Sequence, residues 1–385
     1  MATVSAALST VADPDRACQE VLDRLEQAMG TTRADLAVAF ASAEHADALG
    51  TLSHRIRQGG LADHVIGCSG ETIVGEGREI ESGPALALWS IRAPGAGVHT
   101  FRATGPADLD RLPIQGEGEA SPSRAMILLG DPFSFSADDW LTAVNERAPG
   151  LPVVGGMASA SHSPGGNRLV VDDELVSVGA VGVLLEGPIA VRAVVSQGCR
   201  PIGRPMIVTR ADRNIILDLG RRPAVEVLRE LLDELSPEDR ARARKGLHLG
   251  RVMSEYREQF GRGDFLVRNV MGIDPRGGIA VSDLVRVGQT VQFHVRDAET
   301  ADEDLHALLD PPISPSPVGA LLFSCNGRGT RLFPSPDHDA RVLTEHLGPV
   351  PVCGFFAMGE LGPVGGRNYV HGFTASIALF QAGSS

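Results

Sequence analysis

Nowhere in this chain is there an apolar run of about 18 residues, the least that spans a bilayer as a helix, so no transmembrane helix is expected. Met1 to Asp15 lacks a basic stretch, and its short apolar run is broken by Ser, Thr and Asp, so it does not read as a signal peptide. The five cysteines, Cys18, Cys68, Cys199, Cys325 and Cys353, form no CxxC pair and have no regular spacing; free thiols in a reducing cytoplasm are the expectation. Basic residues are outnumbered, giving a formal net charge of -13. That balance argues against a general nucleic-acid binder, whose affinity comes from clustered Lys and Arg, and against an anionic membrane partner. Lysine is almost missing, with Lys245 alone, which reads as the codon usage of a high-GC genome and carries no functional meaning.

What is present suits a folded protein: 43% hydrophobic and 22% charged residues over 385 positions favour two packed domains. An amphipathic helix is expected from about Asp15 to Met29, ended by Gly30. An order of strand, helix, strand, glycine turn and strand then recurs three times. The first copy runs through Asp35-Leu-Ala-Val-Ala-Phe-Ala41, His64-Val-Ile-Gly-Cys-Ser-Gly70 and Ala85-Leu-Ala-Leu-Trp-Ser-Ile91. The second has Ala125 to Gly130, Leu151 to Ala158 and Ser177 to Leu185; the third has Gly319 to Cys325, Val350 to Ala357 and Thr374 to Phe380. Between the last two lies a different stretch, with a strand pair at Arg204 to Thr209 and Asn214 to Asp218, then a periodic helix opened by Pro223. The expected fold is mixed α+β, with layered mixed sheets, helices on their faces and repeated strand-helix-strand-strand units. Its expected parts are a helical extension at 1–34 and domains at 35–200 and 201–385.

From Gly203-Arg-Pro onward, distinctive phrases accumulate: Asp264-Phe-Leu-Val-Arg-Asn-Val270, Gly288-Gln-Thr-Val-Gln-Phe-His-Val-Arg-Asp297, Phe323-Ser-Cys-Asn-Gly-Arg-Gly329 and Gly354-Phe-Phe-Ala-Met-Gly-Glu-Leu-Gly-Pro363, leading to His371-Gly-Phe-Thr374. In this order they resemble the C-terminal FIST domain. The half from Asp35 to Arg200 resembles the N-terminal FIST domain through Val65-Ile-Gly-Cys-Ser69 and Val153-Val-Gly-Gly-Met-Ala158. The resemblance implies intracellular signal transduction, and bacterial members are proposed to sense small ligands such as amino acids. Roughly thirty residues precede Asp35, room for one helix and not for an F-box, and no kinase or cyclase module follows Ser385, so output through a separate protein partner is expected.

Alternation places Leu266, Arg268 and Val270 on one strand face and Phe265, Val267 and Asn269 on the other. Arg268 reads either as an internal ion pair with Asp264, Asp274 or Asp297, or as a clamp for a carboxylate or phosphate. In the strand ending at Asp297, Gln292, His294 and Arg296 make a polar side, exposed or lining a pocket, and Asp297 is placed to cap a helix. The turn after Phe323 could form an anion nest with Ser324, Asn326 and Arg328 as donors, and it is no P-loop. Cys325 is the one candidate nucleophile, if His294, His338 or His371 lies in reach; a buried, inert thiol is the competing reading. Phe355 and Glu360 in a glycine-flanked loop could offer an apolar wall and a carboxylate for an amine, with a surface pair to Arg367 as the alternative. His371 closes the motif. Asp337-His-Asp339 reads as a helix cap, so no metal is expected, and no cofactor either.

The resemblance, taken with these residues, implies a ligand sensor for an amino acid or small organic anion. An interaction scaffold is the alternative, and a cysteine-dependent enzyme a further one.

Overall fold

The apolar runs pair into sheets in the computed structural model, which describes residues 2–30, 32–114, 123–255, 260–261, 263–310 and 313–382. The chain forms two units, one of Met1–Val195, His306–Val370 and Thr374–Ser385, the other of Ser196–Leu305 and His371–Phe373. Among the described residues, no helix is long and apolar enough to cross a membrane.

In the first unit, the first repeat comprises β1 (Thr3–Ser9), α1 (Pro14–Met29), β2 (Ala34–Ala41), α2 (Ala48–Gln58), β3 (Ala62–Ser69), the hairpin β4 (Ile73–Gly75) and β5 (Arg78–Ile80), and β6 (Leu86–Arg92). The second follows the same order, with β7 (Gly97–Ala103), β8 (Ser123–Gly130), α3 (Ala137–Arg147), β9 (Val153–Met157), the hairpin β10 (Leu169–Val171) and β11 (Glu174–Val176), and β12 (Ala180–Gly187). The third begins with β13 (Ile189–Gln197).

The chain then builds the second unit. It contains β14 (Cys199–Asp212), β15 (Ile215–Leu219), β16 (Arg222–Pro223), α4 (Ala224–Glu234), α5 (Pro237–Lys245), β17 (Leu247–Val252), β18 (Phe265–Ile273), β19 (Ile279–Val281) and β20 (Thr290–Arg296). Helix α6 (Ala298–Leu309) leads back to the third repeat, completed by β21 (Pro317–Cys325), α7 (His338–Leu347), β22 (Val352–Ala357), the hairpin β23 (Glu360–Val364) and β24 (Arg367–His371), and β25 (Thr374–Ala382). The repeats are thus real, but the second unit is an insertion in the third of them, unlike a linear split near residue 200. Residues 2–30 supply β1 and α1 of the first repeat.

Each repeat makes one six-stranded sheet, and each sheet is finished by another repeat's hairpin. The sheet orders are β1-β6-β2-β3-β10-β11, β24-β23-β9-β8-β12-β7 and β13-β25-β21-β22-β4-β5. The first hairpin therefore completes the third sheet, the second the first, and the third the second.

The inner strands of these sheets are buried on both faces, which explains the continuous apolar runs. In β2, Leu36, Val38 and Phe40 enter a central core shared with Ile127, Leu129, Leu321, Phe323 and Phe355. Ala37, Ala39 and Ala41 face α1 and α2 instead. Helix α1 starts where Asp13 Oδ1 accepts Arg16 N at 2.9 Å, and it buries Ala17, Val21, Leu22 and Leu25.

The three glycines expected in turns lie inside strands. Gly67, Gly155 and Gly354 face Ala39, Leu128 and Leu322 across the parallel pairs β2–β3, β8–β9 and β21–β22. A Cβ at these positions would stand 2.3, 1.9 and 1.8 Å from those residues' carbonyl oxygens, so the strands approach too closely for any side chain.

The second unit is an antiparallel sheet in the order β14-β20-β17-β18-β19-β15-β16, and a further β14–β15 pairing closes it on itself. Ile202, Val208, Ile216, Leu249 and Phe293 fill its interior, with Leu228 of α4 packed against them.

The close strand approach sets a test. Gly354→Ala is expected to cost at least about 3 kcal/mol in urea denaturation, whereas Gly105→Ala, where a Cβ meets nothing within 4 Å, should change stability by less than about 0.5 kcal/mol.

Candidate functional site

In each sheet of the first unit two core strands run parallel, and the carboxyl ends of such strands are where α/β proteins place ligands. Here the three ends meet. Ser159, just past β9, donates its backbone N–H to Ser69 O at the end of β3 (3.1 Å). Its Oγ donates to Phe356 O of β22 and accepts Glu71 N at 2.9 Å. Glu360 sits opposite Gly156 in the β9–β23 ladder. A Cβ on Gly156 would lie 2.7 Å from that of Ala357, so only glycine allows the two strand ends to come this close.

The turn after β21 is held by a buried ion pair. Arg328, 1% exposed, donates Nε and Nη2 to the two oxygens of Asp339, each at 2.7 Å. Ser324 Oγ donates to Asp339 Oδ2 at 2.5 Å, and His338 Nδ1 lies 2.9 Å from Oδ1. The His338 ring stacks on Phe333 at 3.4 Å, and the guanidinium lies 5.1 Å from the same ring. Full burial works against the Asp339 charge, but the Arg328 charge and the hydrogen bonds from His338, Arg328 and Ser324 hold its carboxyl well below the usual range. Glu79 arrives from β5, the exchanged hairpin, and its Oε1 accepts Ala340 N at 3.0 Å. Burial, then the neighbouring Asp339 charge, raise its pKa.

Asp337 and Asp339 correct the expected helix cap. Asp337 makes no capping bond and accepts Glu79 N at 2.6 Å, while Asp339 neutralises Arg328. The arginine's charge is therefore already paired, with Nη1 left as a buried donor without a partner. Sequence reasoning missed Asp339 and Glu79 as site residues, because Glu79 lies 249 positions before Arg328 and only the hairpin exchange brings it in.

Glu360 is also unlike its sequence reading. It begins β23, is 0% exposed, and its Oε2 accepts Thr374 N at 3.1 Å and Thr374 Oγ1 at 2.8 Å. It makes no surface pair with Arg367. Burial pushes its pKa up to about 8, against the hydrogen bonds from Thr374. Cys325 is half-buried at the end of β21, and its Sγ lies 3.4 Å from Gly327 N. Cys68 and Cys353 are fully buried, and desolvation raises both thiols, Cys353 to about 12, so neither is reactive. Asn326 donates its N–H to Ala357 O at 3.1 Å. Phe355 is a core residue, its ring 5.3 Å from Phe40 and 5.8 Å from Phe323.

Arg268, Asn269, Arg296 and His371 belong to the second unit. Arg268 pairs with Asp283 (Nε to Oδ2, 3.1 Å), not with Asp264, Asp274 or Asp297. Asn269 donates its backbone N–H to Ser282 Oγ at 3.0 Å. Arg296 lies 5.5 Å from the Phe373 ring, and His371 is buried at the end of β24. The polar side of β20 is not exposed: Gln292 and His294 are 7% and 2% exposed. Gln292 donates to Gly203 O at 2.8 Å, and burial lowers the His294 pKa to about 4, leaving it neutral. Asp297 does cap α6, accepting Thr300 N at 3.4 Å.

Fold and site together define a mixed α+β protein of three hairpin-exchanging repeats, with a closed antiparallel sheet inserted in the third. The FIST N domain matches residues 35–222 and the FIST C domain residues 224–363, so the chain belongs to the FIST family, whose domains are associated with signal transduction and small-ligand sensing. The boundary between these matches falls at the start of α4, inside the second unit. An uncharacterized protein of Mycobacterium tuberculosis is 40% identical over 384 residues, covering 98% of this chain and 99% of that relative. An uncharacterized protein of Mycobacterium bovis is 40% identical over 386 residues, covering 98% of each. Among solved structures, cyanuric acid hydrolase from A. caulinodans is similar at a TM-score of 0.33 and 9% identity, covering 100% of both chains. That similarity is too distant to bear on fold or function.

Two outcomes follow. Arg328→Met leaves Asp339 buried and unpaired and should cost about 3–5 kcal/mol in urea denaturation, with much of it recovered by adding Asp339→Leu. Glu360 binds its proton more tightly folded than unfolded, so the stability it contributes is full below its ordinary pKa and is lost as pH rises through about 8. Glu360→Gln should therefore flatten the fall in stability between pH 5 and 8; parallel profiles would show the carboxyl to be ionised throughout.

Proposed function

We propose that this protein senses a small molecule of amino-acid size at the junction of the three repeats and passes the signal to a separate protein partner, without membrane or nucleic acid. The observation that carries this reading is the convergence of polar side chains from all three repeats: Glu71 from the first, Ser159 from the second, and Cys325, Asn326 and Glu360 from the third. A site assembled from three repeats suits a sensor, because a ligand bridging them changes their relative free energy and so biases a conformational equilibrium that a partner reads.

Arg328 and Ser324 serve this site indirectly, fixing the turn that presents Cys325 and Asn326. Phe355 supports it from the core. In the second unit Arg268 is paired with Asp283, so an anionic ligand group there would have to compete with that carboxylate; Asn269, Arg296 and His371 are the other contacts we assign to that part of the reading. Family membership supports small-ligand sensing, and the acidic balance of the chain supports a protein partner in place of a polyanion.

Thermal denaturation of the full chain against the twenty amino acids and a series of small organic acids tests the reading. At least one class should raise the midpoint in a saturable manner, and Asn326→Ala should weaken that effect about tenfold. If no compound moves the midpoint, the sensor reading fails.

A further inference from the structure

The junction is unevenly satisfied, and its chemistry follows from which atoms are left over. Glu360 spends Oε2 on Thr374, while its buried Oε1 has no N–H or O–H donor and only the Cys325 thiol beside the carboxyl group. Glu71 spends Oε1 on Arg331 Nη2, and its Oε2 is buried without a partner. Asn326 Oδ1 is buried without a partner too. With Glu360 ionised each of these atoms is an acceptor, and Arg328 Nη1 is a buried donor left without a partner in the same turn; an unsatisfied buried polar group costs about 1–3 kcal/mol. Such a cost concentrated in one place points to a group that supplies donors.

The three oxygens belong to residues tied to one short piece of backbone. Asn326 N donates to Ala357 O. Glu71 N is bound by Ser159 Oγ, which itself donates to Phe356 O. Glu360 faces Gly156 across the ladder, and Gly156 packs directly on Ala357. The strand end Phe356–Ala357 is therefore the common anchor. Arg328, a strong cation buried near it, is already neutralised by Asp339.

We propose that the ligand group recognised at this junction is a cation rich in N–H donors, a primary ammonium or an amidinium, held by the side-chain oxygens of Glu360, Glu71 and Asn326. This rests on the sensor reading and names the part of the ligand that the site selects. An ammonium carries three donors, matching the three acceptors, whereas a carboxylate brings only further acceptors. The cation also supplies the charge that lets buried Glu360 ionise. Because burial keeps this carboxyl protonated up to about pH 8, binding at neutral pH releases its proton, and affinity rises as pH increases toward that value.

Calorimetry on the full chain with n-butylammonium and with pentanoate, each in phosphate and in HEPES buffer, tests this. Butylammonium should bind saturably, with a heat that differs between the buffers by the ionisation of close to one proton, and pentanoate should not bind. Glu360→Gln should weaken butylammonium at least tenfold and remove the buffer dependence. Glu71→Gln, at a more accessible position, should weaken it similarly and keeps the test available if the first variant folds poorly. Butylammonium affinity unchanged in these variants overturns the assignment. Binding of pentanoate or of an amino acid without any binding of butylammonium also overturns it and leaves the sensor reading standing; if nothing binds at all, both fall.

Discussion

A strand at the edge of a sheet carries a row of unpaired backbone donors and acceptors, and this protein satisfies that requirement by exchange. Strands β3, β9 and β22 would each be such an edge, and each is covered by a hairpin from a different repeat. Because the exchange runs in a cycle, each sheet draws on two repeats and the three sheets are complete together only when all three repeats are present, and the central core around Phe40, Phe323 and Phe355 forms from them. The three close-approach glycines belong to the same parallel pairs, where a Cβ would run into the carbonyl oxygen of the neighbouring strand.

The functional geometry is a consequence of that cycle. The first hairpin brings Glu79 beside the Arg328–Asp339 pair, and the third brings Glu360 beside β9. A buried guanidinium costs several kcal/mol unless paired, and here Asp339 meets both of its forked N–H groups while Ser324 and His338 fill the remaining acceptor positions. The turn that looked like an anion nest is thereby a rigid support, its positive charge spent internally. The chemistry that stays available lies with the carboxylates, whose environments differ sharply. Asp339 is kept ionised by a cation, whereas Glu360 is kept neutral by burial.

The inserted unit obeys a different rule. Its antiparallel strands close on themselves, so alternate residues fill one interior, and polar groups such as Gln292 and His294 are drawn in with specific partners or in a neutral state. Its arginines are engaged locally, Arg268 with Asp283 and Arg296 against Phe373. The family boundary at the start of α4 cuts through this unit, so the two named domains of the family are stretches of sequence and not the two packed units of this chain.

Much of this was legible in the chain itself. The threefold recurrence of strand, helix and strand showed as repeated apolar runs around Gly67, Gly155 and Gly354, because local periodicity depends on which faces are buried. The helices α1, α3 and α4 and the β14–β15 pair were readable for the same reason, and the ordered phrases from Gly203 to Thr374 were enough to identify the family. What tertiary structure alone decided is where each repeat's hairpin goes, since backbone pairing between segments hundreds of residues apart leaves no local pattern. That long-range choice made Asp339 an ion-pair partner instead of a cap, placed Glu360 inside a sheet instead of a loop, and set Glu71, Asn326 and Glu360 around one strand end.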